Sequence, residues 1–408
     1  MYPTNGHELG NEVPLGQGKV HYPAFIKKLK EIGYQGDITI EREMTGPDQK
    51  RDILSAREIL EDVGQLSGNA SVGRNPCYLH PKHNCHYIAV AEWKQQSVET
   101  RLVDINDGYE LDKTKMHADS TECYASLTIL CYEQLIKALT KETRISGVCI
   151  ILPGLIDQKR QSLISTPLQI DWEVGGRLIE QLKSGFLYEN LCILNDTACL
   201  SYAEIKSKGL KNTDFAYINF ATGIGAALYM QERILGGATG SNTQFGHCCI
   251  DPDGLDCYCG AKGCLEAMIG ESALPLRWGK EILDSAGNET GNSLNYSLLC
   301  KLAESGNENA VSALQNVADG FSLAAVDLIT LVHPQRIIIG GKGIELGNLF
   351  LRRVKNNLKH MGLRYMVENV TVSFSTLSSD AAYYGAALYY FDTYYDFTAE
   401  NSNGFYLG

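Results

Sequence analysis

The chain has 408 residues, a formal net charge of −12 and an ordinary apolar content of 44%. Its length suffices for two or three domains with a sizeable core, and its acidic balance argues against nucleic acid or a membrane surface as the main partner. An odd number of cysteines, thirteen, with no N-terminal apolar signal stretch and no apolar run of membrane-spanning length, predicts a cytoplasmic protein with free thiols.

Residues 1–67 read differently from the rest. Phe25, Leu29 and Ile32 have helical spacing, Gly33-Tyr34-Gln35-Gly36 is a turn, and Asp37 to Glu41 is a short strand. A second amphipathic helix runs from Arg51 to Val63. Together with Pro14-Leu15-Gly16-Gln17-Gly18 and Ile38-Thr39-Ile40-Glu41, this piece resembles the C-terminal end of a xylose-isomerase-like TIM barrel of the sugar-phosphate isomerase/epimerase family. The resemblance implies a metal ligand at Glu41, yet the partner ligands on earlier strands are missing. Roughly a quarter of a (β/α)8 barrel cannot close, so Glu41 is given no catalytic role. Residues 68–84, rich in Gly, Ser, Asn and Pro, read as a linker. The sequon Asn69-Ala70-Ser71 within them has no meaning without secretion.

From residue 85 onward, strands and helices alternate. Strands are expected at His86 to Ala91, Val98 to Ile105 and Tyr109 to Lys115, followed by a helix from Thr121 to Thr140 with Leu127, Leu130, Leu135 and Leu139 on its apolar face. A buried strand (Ile145 to Leu152), a helix (Trp172 to Lys183), a strand (Leu191 to Leu194) and a helix (Thr197 to Lys206) complete a first half, 85–205. The order restarts with strands at Phe215 to Ala221, Ala226 to Gln231 and Arg233 to Leu235. It ends with helix Ala310 to Val332, strand Arg336 to Ile339, helix Leu346 to Met361, strand Val370 to Phe374 and helix Ala381 to Phe391, in a second half, 206–408. Two ribonuclease-H-like halves facing a cleft make an α/β, actin-like ATPase fold, here with a structural zinc loop and a partial TIM-barrel fragment in front.

The zinc loop is read from His247, Cys257, Cys259 and Cys264. Three thiolates and one imidazole fill a tetrahedral zinc shell with no position for water, which makes the site structural. Gly260 and Gly263 permit the tight turns that bring the sulfurs together.

Gly246-His247, the Asp251-to-Gly254 loop and Cys257-x-Cys259-Gly260-x2-Gly263-Cys264-Leu265-Glu266 resemble the zinc signature of the ROK family of sugar kinases and sugar-responsive repressors. The resemblance covers about 85–395 and implies a homodimer that binds a hexose or an N-acetylhexosamine. It implies that Asp196 is the general base, that Asn195, Asp196, Gln244, His247 and Glu266 contact the sugar, and that Thr222, Gly223 and Gly225 with Gly340 and Gly341 hold ATP. The family has Glu-x-Gly-His where this chain has Gln244-Phe245-Gly246-His247, so a charge is lost while an acceptor is kept.

One block departs from the family altogether. The first phosphate loop, Asp-x-Gly-Gly-Thr, whose Asp helps to hold magnesium, is replaced by Ala89-Val90-Ala91-Glu92-Trp93-Lys94-Gln95-Gln96-Ser97, where Trp93 and Lys94 are expected to crowd the phosphates. The implied function is therefore an ATP- and Mg-dependent sugar kinase or, alternatively, a catalytically silent sugar-binding sensor.

Overall fold

The computed structural model describes residues 86–394, apart from 105–107, 109, 138, 140–143, 158–161, 187–189, 237–243 and 286–292, together with 28, 31, 38–39 and 78–79. Of the expected helix at 22–33 only Lys28 and Glu31 are among these residues, both helical; the expected helix at 51–63 and Glu41 fall outside them, and nothing described forms part of a barrel. Tyr78–Leu79, inside the expected linker, pairs antiparallel with Ile38–Thr39.

The first half opens on three consecutive strands, β1 (His86–Lys94), β2 (Ser97–Asp104) and β3 (Glu110–His117). Helix α1 (Tyr124–Lys137), strand β4 (Arg144–Leu152), helix α2 (Trp172–Gly185), strand β5 (Leu191–Asn195) and helix α3 (Asp196–Lys208) follow. The sheet order is β3-β2-β1-β4-β5, antiparallel over the first three strands and parallel from β1 to β4 to β5. The second half repeats it with β6 (Phe215–Phe220), β7 (Ile224–Met230), β8 (Arg233–Ile234), β9 (Arg336–Gly341) and β10 (Thr371–Phe374) in the order β8-β7-β6-β9-β10. The same pairing senses recur, so the duplication is one of topology. Among the described residues, no helix is long and apolar enough to cross a membrane.

Of the expected apolar face of α1, Leu135 is buried and Leu127 and Leu139 pack against the same core, while Leu130 is 44% exposed; Tyr124, Thr128 and Cys131 complete the buried stripe. The helix proper begins only at Tyr124, after a 3-10 turn at Thr121–Cys123, and the i, i+4, i+7, i+11 rows of its inner face then start from the tyrosine.

Helix α4 (Leu265–Ile269) and the long helix α5 (Glu308–Val332) pack under the second sheet with α6 (Gly347–Leu358). The last helix, α7 (Ala381–Tyr394), comes from the second half by sequence but packs on α3 and on the first sheet. One buried cluster therefore takes Ile88, Val90 and Cys149 from the first sheet, Tyr217 and Ile338 from the second, and Ala386 and Tyr390 from α7. Contact between α7 and α3 is close because Gly385 lacks a side chain: a Cβ there would lie 1.8 Å from the Cys199 carbonyl oxygen. Gly385→Ala is expected to push the two helices apart and lower stability by about 1–3 kcal/mol, as overpacking does. Thermal unfolding of the variant checks this, and an unchanged midpoint would refute the close-contact argument.

Candidate functional site

Strand β5 ends at the cleft between the halves. Asn195 caps α3: its Oδ1 accepts from the N–H groups of Thr197 (2.8 Å) and Ala198 (3.2 Å), and its Nδ2 donates to the Gly154 carbonyl at 2.7 Å. The described work of this buried amide is to shape the edge, as an N-cap does. Asp196, the first residue of α3, accepts from Thr197 N–H at 2.7 Å through Oδ1, while its Oδ2 receives Asn219 Nδ2 at 3.4 Å. Burial pushes its carboxyl up to about 6; the Thr197 N–H bond opposes this, and the nearby charge of Glu92 adds to the rise.

The hairpin joining β6 to β7 turns at Ala221-Thr222-Gly223, closed by Ala221 N–H to Gly223 O at 2.8 Å. Glu266, buried on α4, accepts from Ile224 N–H at 2.6 Å through Oε2. A Cβ on Gly223 would meet that same oxygen at 2.0 Å, so the glycine is required by the carboxylate beside it. Burial raises the pKa of Glu266, against the lowering effect of that N–H bond and of His247. One amide of the expected second phosphate loop is thus already engaged by protein.

The 3-10 turn Phe245–His247 presents Gln244 and His247 to the same cleft, with Phe245 buried beneath it against Phe321. His247 Nδ1 lies 3.6 Å from Cys257 Sγ, and Cys259 Sγ lies 3.6 Å from Cys264 Sγ. The four ligand atoms of His247, Cys257, Cys259 and Cys264 all lie within 4.8 Å of one another. Gly263, at φ +63°, makes this convergence possible, since a Cβ there would lie 1.5 Å from Asp251 O. The other face of the imidazole is met by Tyr258, whose hydroxyl is 3.1 Å from Nε2. Tyr258, between two cysteines, was invisible as a cleft residue in the sequence because only the folded loop aims it inward.

The connection from β1 to β2 is a two-residue turn, Gln95-Gln96, with Lys94 paired to Ser97. Gln96 sits at φ +58°. The Tyr124 hydroxyl pins the turn, accepting from Gln96 N–H at 3.1 Å and donating to Lys94 O at 2.8 Å. Trp93 does not crowd the cleft as expected: it is 1% exposed, stacks near Tyr124 with centroids 5.0 Å apart and donates to Thr128 Oγ1 at 2.9 Å. β1 simply continues through Trp93, so alternation turns the indole to the core face of the sheet. Lys94 does face the cleft, with Nζ 2.9 Å from Glu92 and 3.2 Å from Glu99. Burial of this ammonium, which lowers its pKa, is outweighed by the two carboxylates, and the group is held above its ordinary value.

These residues line a cavity of about 600 Å³ that includes Glu92, Asp196, Thr222, Gln244, His247 and Glu266. An adjoining cavity of about 900 Å³ shares Glu92, Asp196, Asn219 and Thr222 with it and reaches Gly341 and Lys342. Gly340 and Gly341 end β9, where a Cβ would strike the Tyr217 hydroxyl or the Phe220 carbonyl oxygen, so both glycines are needed by the neighbouring strand. Lys342 pairs with Glu271.

A family model described as "ROK family" matches residues 98–392. The chain belongs to the ROK family. The xylose repressor of Bacillus subtilis (strain 168) is 25% identical over 391 residues, covering 91% of this chain and 97% of the repressor. The N-acetylmannosamine kinase of Haemophilus influenzae (strain 86-028NP) is 25% identical over 205 residues, 50% of this chain and 64% of the kinase. Among solved structures, a ROK family transcriptional regulator homologous to the Escherichia coli MLC protein superposes with a TM-score of 0.69 at 20% identity, covering 83% of this chain and 87% of the regulator. A ROK family glucokinase from Streptomyces griseus, in complex with glucose and AMPPNP, gives a TM-score of 0.61 at 21% identity over 74% of this chain and 98% of that one. At such identities the superpositions establish the fold alone. A DNA-binding transcriptional repressor, Mlc of Escherichia coli (strain K12), is also similar, 24% identical over 61% of this chain. The net charge is therefore not a sufficient ground to exclude nucleic acid, because a sum over the whole chain does not describe the field of one segment.

Proposed function

We propose that the cleft binds a monosaccharide, a hexose or an N-acetylhexosamine, and that this ROK protein senses the sugar instead of phosphorylating it. The observation that carries the reading is the closed β1–β2 turn. Phosphoryl transfer consists mostly of positioning and of neutralising charge around the transferred group. A turn of two residues, locked by the Tyr124 hydroxyl, has no run of free backbone N–H groups to offer a phosphate. Lys94 brings an ammonium beside this turn and ion-pairs with Glu92 and Glu99, so the carboxylates here are already engaged by a cation of the chain. The sugar side is intact in kind: Asp196, Gln244, His247 and Glu266 converge on one cavity with acceptors and donors suited to ring hydroxyls. The repressor names of several relatives favour a regulatory output, read outside the cleft.

His247, Cys257, Cys259 and Cys264 are assigned to a structural zinc. Zn–S bonds of about 2.3 Å and Zn–N bonds of about 2.0–2.1 Å at a tetrahedral angle place ligand atoms about 3.5–3.8 Å apart, and the two 3.6 Å separations fit that spacing. When bound, the metal supplies a cross-link that fixes the loop. The chain's own residues then hold the geometry: with Nδ1 as the ligand, the His247 Nε2–H becomes a donor toward the cleft, and Glu266 stays against Ile224.

The kinase is the second reading, favoured by Asp196. A carboxyl pushed up to about 6 is suited to take a proton from a sugar hydroxyl near neutral pH, and the adjoining cavity that reaches Gly341 and Lys342 would take ATP with its magnesium. Calorimetry with a panel of hexoses and N-acetylhexosamines, with and without Mg-ATP, separates the readings. Heat from a sugar and none from Mg-ATP is expected. ADP release that disappears in Asp196→Asn would overturn the sensor.

A further inference from the structure

We infer that Cys249 and Cys264 form a peroxide-driven, reversible disulfide, which makes the metal-ligand loop an oxidation site. The inference rests on the backbone around these two residues and not on the sugar reading. Cys249 and Cys264 face each other across an antiparallel bridge. The flanking bonds run from Leu265 N–H to Cys248 O and from Ile250 N–H to Gly263 O, both 2.8 Å. Those bonds lie on either side of the pair, which is therefore of the non-hydrogen-bonded type, with Cα atoms about 4.5 Å apart and side chains on one face. Disulfides span Cα separations of about 4.4–6.8 Å, so the bridge closes by side-chain rotation with no movement of the chain.

The two thiols differ in access. Cys249 is exposed and its Sγ donates to Lys262 O at 3.4 Å; Cys264 is fully buried, with Sγ 3.6 Å from Cys259 Sγ. Cys249 is thus a fourth thiol beside a group of three cysteines and one histidine to which it does not belong. Its sulfur is the one a peroxide reaches: the thiolate attacks the O–O bond, takes one oxygen as a sulfenic acid and releases an alcohol or water. Cys264 then attacks the sulfenic sulfur, the S–S bond forms and water leaves. Two electrons pass from the thiols to the peroxide, and a dithiol returns them. The loop is left with His247, Cys257 and Cys259, one ligand short of a closed shell.

The test treats the full-length, zinc-loaded protein with hydrogen peroxide and reads zinc release with a chromogenic chelator, intact mass and peptide mapping. Expected are a mass loss of about 2 Da, a cross-linked pair of peptides carrying Cys249 and Cys264, and recovery with dithiothreitol. Cys249→Ser should release zinc about tenfold more slowly or slower still, because the thiol that reacts with the peroxide is gone, while Cys248→Ser should behave as the unaltered chain. Equal release rates for Cys249→Ser and the unaltered chain would overturn the inference, as would mapping that joins Cys248 or finds only sulfinic acid at Cys249.

Discussion

Replacing Cys259 with alanine is expected to release zinc and weaken sugar binding in the same variant. Cys259 is exposed, so its truncation opens no core cavity and leaves the two sheets standing. Structural zinc in small peptides is worth roughly 10–16 kcal/mol, so one ligand in four accounts for about 2.5–4 kcal/mol, or about 100- to 1,000-fold in metal affinity. The sugar is affected through Glu266, two residues beyond Cys264 in sequence and tied to Ile224 N–H. Once the loop is loose, that charge-assisted bond and the aim of His247 are no longer fixed. Losing one such contact costs about 1.5–3 kcal/mol, which is about 10- to 100-fold in sugar affinity. Metal analysis and calorimetry on the same preparation decide it: an unchanged zinc stoichiometry removes the site, and zinc loss with unaltered sugar affinity removes the link between loop and cleft.

Asp196→Asn is expected to weaken sugar binding by about 10- to 100-fold, the worth of a hydrogen bond to a charged group, and at the same time to stabilise the fold at neutral pH. The carboxyl is pushed up to about 6, chiefly by burial, from an ordinary value of 3.8. Between those two values the folded chain holds a proton that the unfolded chain has released, so stability falls as pH rises through this window and stays reduced above it. Asparagine carries no such penalty and keeps an oxygen for Thr197 N–H. Asp196 is partly open to the cleft, so the benefit is set at about 1–2 kcal/mol, below what a fully enclosed carboxyl would give. The variant should melt about 2–4 °C higher at pH 7.5, with the gain shrinking as pH drops from 6 toward 4. Sugar binding to the unaltered chain should weaken over the same range as Asp196 takes up its proton. A gain that persists undiminished at pH 4 would mean that the carboxylate is not the source of the strain.

The periodicity of apolar residues was enough to place the strands of the two five-stranded sheets and the longer helices, because burial on one face imposes a period of two or of 3.6 directly on the sequence; the hairpin of Leu155–Asp157 with Ser162–Ser165 and short helices such as Leu265–Ile269 and Tyr296–Glu304 span too few turns to show one. The Cys-His spacing likewise announced the cluster of His247, Cys257, Cys259 and Cys264, since residues close in sequence need only local turns to meet. Two features were not legible. Trp93 read as an obstruction in the cleft, but the continued pleat of β1 carries it inward to Thr128. Leu130 read as part of the apolar face of α1, and it is 44% exposed on a helix that begins only at Tyr124.

The sequence by itself determined the repeated fold, the family and the residues of the Cys/His cluster, because each is written in local spacing or in short motifs. Only the tertiary structure decided what the cleft is equipped to do. Lys94 with Glu99, Glu266 with Ile224, and Asp196 with Asn219 join residues on separate strands and helices. Their charges and proton affinities depend on burial and on distances that exist only after both halves have packed around α7.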